Sequence, residues 1–187
     1  MYQEKRINMN KIFNREVRTD RRDSQDEKRQ KRYLYDICKN ISKEKSYYLD
    51  MSKFNSVSHS LGVDGLYINR NGVISHSKGA KRNRFYDSKT FDAMATIGND
   101  AKNVNLYFII KYTKNNGGQQ NGINYELAVT VDNIRKNNQE NNLFFIVADG
   151  KYWDSVDFSQ LELPSNCFVI NEKIAKESIK TNLKNIL

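Results

Sequence analysis

At 187 residues the chain has the length of one domain, long enough to bury a core without metals or disulfides, and with 38% hydrophobic residues that core must be small. Its formal net charge of +9 favours a polyanionic partner, nucleic acid first, although a lysine-rich surface that only keeps the chain soluble has the same signature. Cys38 and Cys167 lie far apart, His59 and His76 stand alone, no apolar run reaches the length of a membrane span, and the start at Met1 lacks a signal-peptide core; these exclude a Cys/His zinc site and point to free, buried thiols in the cytoplasm.

Residues 1–23 mix apolar side chains with Arg15, Arg18, Arg21 and Arg22 and read as an arm or a short helix. Ser24 and Glu27 have the spacing of a capping box, so a helix is expected from there. Leu34, Ile37, Cys38 and Ile41 would form its buried stripe, and Lys28, Arg29, Lys31, Arg32 and Lys39 a basic outer face, solvated or in contact with phosphates. Further on, Leu66, Tyr67 and Ile68 face Val73 and Ile74 across an Asn71-Gly72 pair, the pattern of a hairpin with positive φ angles at its tip. Lys78, Lys81, Arg82 and Arg84 then crowd a loop of small residues whose backbone can approach phosphates.

Residues 104–113 form the strongest strand pattern, apolar on both faces as in a central strand covered on two sides. Ile123, Leu127, Val131 and Ile134 predict a helix over about 121–137, and 143–148 a second buried strand, so strand, helix and strand make a crossover with a parallel pair. Residues 167–170 read as a short strand, and the tail as a helix with Ile174, Ile179, Leu183 and Ile186 on one stripe. There is no internal repeat and no second domain: 1–187 read as one unit whose functional core spans about 60–153.

The arrangement around the long strand suggests chemistry. Phosphodiester cleavage needs an activated water and a stabilised leaving oxygen, which carboxylate-held Mg²⁺ and a nearby lysine can supply. Asp92 precedes the long strand, Lys111 lies on it nineteen residues later, Gly117, Gly118, Gln119 and Gln120 follow, and Asp149, Gly150 and Trp153 close the second strand. This stretch resembles the core of the PD-(D/E)XK nucleases, type II restriction endonucleases in particular, over about a third of the chain. The resemblance implies a restriction-endonuclease-like α/β fold with a mixed central sheet flanked by helices. It also implies duplex DNA as partner, Mg²⁺ as cofactor, Asp92 as a metal-binding acid and Lys111 as the catalytic lysine. Gln119 and Gln120 would lie near DNA, with Lys78, Lys81, Arg82 and Arg84 on phosphates. Cutting both strands of a duplex would call for a homodimer.

Position 109 departs from that pattern. Alternation puts Ile109 on the same face as Lys111, where such enzymes carry a glutamate. Three readings stay open: the site is inactive; the acid has moved to the helix as Glu126, fifteen residues after Lys111; or the pair is Asp64 with Asp87 and Lys89, on a segment too polar for a central strand. The function expected is therefore metal-dependent DNA cleavage by Asp92, Lys111 and Glu126. The alternative is a DNA-binding protein on a nuclease-like fold without catalysis.

Overall fold

A computed structural model describes residues 25–52, 65–77, 88–112 and 120–187. The elements in chain order are α1 (Gln25–Lys45), β1 (Tyr48–Asp50), β2 (Gly65–Asn69), β3 (Ile74–Ser77), β4 (Ser88–Thr90), β5 (Ala93–Gly98) and β6 (Asn103–Tyr112). They continue with α2 (Gln120–Arg135), β7 (Asn142–Asp149), short 3-10 turns at Trp153–Ser155 and Phe158–Leu161, β8 (Cys167–Ile170) and α3 (Ala175–Lys184). The arm at 1–23, Ser24 of the expected capping box, and the basic residues Lys78, Lys81, Arg82 and Arg84 lie outside the described residues.

The protein is α/β with a mixed five-stranded sheet in the order β1-β5-β6-β7-β8. Strands β1, β5 and β6 pair antiparallel, while β6, β7 and β8 pair parallel. The parallel β6–β7 pair follows from α2 between them, since parallel neighbours need a crossover rather than a hairpin. A second, antiparallel sheet has the order β3-β2-β4.

The central strands are apolar on both faces because each face has a cover. Val104, Leu106, Phe108 and Ile110 of β6 join Leu34, Ile37, Cys38 and Ile41 of α1 and Ile179 and Leu183 of α3 in one buried cluster. Tyr107 and Ile109 join Leu127, Val131 and Ile134 of α2, with Leu66 and Ile68 of the small sheet, in the other. Tyr107 and Phe144, directly opposite in register, stack at 5.2 Å, a cross-strand aromatic pair of the kind that fixes register.

Several expectations need correction. Lys31, expected on the exposed basic face, is buried: it sits one turn before Leu34 and flanks the apolar stripe. Ile174 is half exposed, because α3 starts only at Ala175, and Ala175 takes the buried position one turn before Ile179. The hairpin tip uses one positive φ rather than two. Gly72 alone is left-handed, at +76°, and the Asn69 carboxamide oxygen accepts from the amides of Asn71 and Val73. Gly72 is also required by packing, since a Cβ there would lie 2.5 Å from the carbonyl carbon of Lys136 at the end of α2.

Candidate functional site

Asp92 sits where β5 begins and the chain arrives from the small sheet. Its amide donates to the Phe108 carbonyl at 2.8 Å, the last backbone bond of the β5–β6 ladder at this end. The next free group on β6 is the Ile110 amide, and the Asp92 carboxylate accepts from it at 2.7 Å. The side chain thus replaces the carbonyl that a continuing strand would have offered, and a backbone donor of a buried strand is satisfied. Phe91 and Met94 both pack in the α2-side cluster and Ala93 in the opposite one, so the alternation breaks at Asp92, where the chain passes from the small sheet into β5.

Lys111 projects from β6 on the α2 side, at the carboxyl end of the parallel strands. Its ammonium lies 3.0 Å from the Glu126 carboxylate of α2, an ion pair with the lysine side chain 17% exposed and the glutamate 40% exposed. Such a half-exposed pair contributes about 1 kcal/mol or less to stability. Glu126 is placed by the helix itself: it precedes Leu127, which is buried against the sheet, and so stands at the flank of the apolar stripe beside the end of β6. Glu126, a sequence candidate, therefore reaches Lys111.

Ile109 is wholly buried among the side chains that seat α2 on the sheet. A carboxylate at that position would lie in an apolar cluster, where an ionised group is strongly disfavoured. Ile109 thus helps to seat α2 on the sheet, and Glu126 reaches Lys111 from the flank of that helix.

Mg²⁺ is commonly held by one or two protein carboxylates, with water and phosphate oxygens completing its shell. Asp92 and Glu126 match that number and donor type, and Lys111 lies beside Glu126 while the Asp92 carboxylate lies on the Ile110 amide one residue before that lysine. No group of three or more His, Cys, Asp or Glu residues able to hold a metal occurs among the described residues.

The remaining sequence candidates divide. Gln119 lies outside the described residues, as do Asp64 and Asp87; Gln120 opens α2, and Lys89 belongs to β4 of the small sheet rather than to the central one. The Asp149, Gly150, Trp153 segment is a structural turn. The Asp149 carboxylate accepts from the Gly150 amide at 3.0 Å, Gly150 has φ +103°, and the Trp153 amide donates to the Gly150 carbonyl at 3.0 Å. Tyr152 and Trp153 then pack into the α2-side core.

One polar group lies outside the sequence candidates. Gln30 of α1, wholly buried, donates to the Asp149 carboxylate at 3.0 Å, and Arg29 pairs with Glu172 at 3.0 Å. The sequence signal is Gln30 itself, a polar residue one turn before Leu34 on an otherwise apolar stripe. This group ties α1 to the carboxyl ends of β7 and β8, across the sheet from Lys111.

No family model matches the chain. No curated protein matches it. Among solved structures, the Vibrio cholerae protein VC1899 is similar with a TM-score of 0.34 and 14% identity, over 81% of this chain and 31% of that one. The chain thus spans about a third of that protein's length.

Proposed function

We propose that this protein is a DNA-binding, Mg²⁺-dependent endonuclease with a restriction-endonuclease-like fold, in which Glu126 stands in for the acid that Ile109 displaces. The observation that carries this reading is the 3.0 Å contact between Lys111 and Glu126 at the strand end that also bears Asp92. Support comes too from element order. An acid opens β5, a lysine ends the adjacent β6, and a crossover helix leads to a parallel β7, as the sequence resemblance implies.

Asp92 and Glu126 are the residues that would hold Mg²⁺, which when bound lowers the pKa of a coordinated water and neutralises phosphate charge. Lys111 holds the Glu126 carboxylate in place and offsets negative charge on a phosphate brought to this edge. The Ile110 amide fixes the Asp92 carboxylate against the strand, so its orientation is set before a substrate arrives. Duplex cleavage on both strands would use two copies of the site, hence a homodimer.

The test is cleavage of supercoiled plasmid by the full chain with Mg²⁺ and with EDTA. Nicking or linearisation that needs the metal is expected; cleavage that is equal in EDTA, or absent with Mg²⁺ and Mn²⁺, counts against the proposal. A second reading, a DNA-binding protein without catalysis, is favoured by the complete burial of Ile109 where a metal ligand is usual. It predicts duplex binding without cleavage.

A further inference from the structure

The outer face of α1 carries a straight line of cations. Lys28, Arg32, Lys39 and Lys43 are all exposed. At 100° per residue they fall within an arc of about 60°, and at 1.5 Å per residue they span about 22 Å. The buried stripe of Leu34, Ile37, Cys38 and Ile41 lies on the opposite side of the helix. None of the four cations forms an ion pair among the described residues. Neighbouring cations behave differently: Arg29 is held by Glu172, and Lys176 and Lys180 by Glu44. Asp36 is the acid at the edge of the stripe, and it pairs with none of them.

We propose that this stripe is a phosphate-binding surface for duplex DNA, on the face of the sheet opposite Glu126; it rests on the DNA-binding part of the function proposed above. A rigid helix presents its charges at fixed spacing along a line, which suits the regular phosphates of a duplex. A membrane surface is a poorer fit. Interfacial helices place apolar side chains beside their cations, and Tyr33, the exposed large apolar residue of α1, stands off the stripe.

The experiment measures binding of the full chain to a labelled duplex in EDTA at several salt concentrations. Three forms are compared: wild type, the stripe variant (Lys28→Gln, Arg32→Gln, Lys39→Gln and Lys43→Gln together), and a control (Lys102→Gln, Lys151→Gln, Lys173→Gln and Lys184→Gln together). Both sets remove the same charge from exposed positions, and neither touches Asp92, Lys111 or Glu126. The stripe set is expected to flatten the slope of log K against log salt by about 3.6, given about −0.9 per phosphate, with the control close to wild type. Asp36→Lys should steepen it by about 0.9. Equal losses from the two sets overturn the proposal, since net charge alone then governs binding. So does a wild type that does not bind duplex, or one that prefers anionic vesicles or single-stranded RNA. Because no metal is present, loss of binding through the stripe in a protein that never cleaves DNA refutes the nuclease chemistry and leaves the surface standing.

Discussion

The Lys111 ammonium and the Glu126 carboxylate lie 3.0 Å apart, joining the end of the central strand to the crossover helix. The pair is a weak contributor to stability, because Glu126 is 40% exposed. Glu126→Ala is therefore expected to shift the urea midpoint little, by the equivalent of about 1 kcal/mol or less. A loss of several kcal/mol would make the pair a structural tie rather than a functional one.

Asp92 has a role in the fold that can be separated from any role in catalysis. Asp92→Asn keeps an oxygen to accept from the Ile110 amide, so the ladder end stays satisfied. Asp92→Ala leaves that donor without its side-chain acceptor and should cost about 1–3 kcal/mol. Urea unfolding of the two variants should rank Ala well below Asn, while neither supports cleavage. Equal stability would mean that water replaces the carboxylate at Ile110.

Ile109→Glu is expected to destabilise rather than to rescue. The side chain is fully buried against Leu127 and Val131, and an uncompensated charge in such a place costs about 3–5 kcal/mol. Ile109→Val should cost about 1 kcal/mol. A stable Ile109→Glu protein that cleaves better than wild type would show that strand position 109 can still serve as the acid position.

Much of this architecture was legible in the chain, for reasons that also explain the gaps. The strands β6 and β7 announce themselves as unbroken apolar runs, and α2 by the recurrence of Leu127, Val131 and Ile134. The strand β5 was not assigned from sequence: Ala93, Met94 and Ala95 have low strand preference, and burial on both faces removes the alternation. With only three residues each, β1 and β4 are too short for any pattern. Lys111 and Glu126 were named as candidates, but their contact depends on how α2 lies on the sheet, which spacing alone does not give. Gln30 and Arg29 meet Asp149 and Glu172 only through the packing of α1 on the sheet.

The thiols should be inert in the folded protein. Burial pushes Cys38 and Cys167 each up to about 12. An aromatic disulfide reagent at pH 8 should label neither until denaturant is added. The folded-state pKa lies above the unfolded value, so the unfolded chain loses these protons first. The stability they contribute is complete below about pH 9 and is lost as pH rises toward 12. Rapid labelling under native conditions would mean that α1 or β8 opens readily.

The central claim is that Glu126 acts with Asp92 and Lys111 in Mg²⁺-dependent cleavage, and one comparison tests it most directly. Plasmid nicking with Mg²⁺ is followed for wild type, Glu126→Gln and Lys111→Met, while duplex binding of each is measured in EDTA. The expected result is cleavage by wild type alone, with binding within about threefold for all three, because phosphate contacts elsewhere dominate affinity. Cleavage that persists in Glu126→Gln, or a wild type that binds DNA and never cuts it, would contradict the claim.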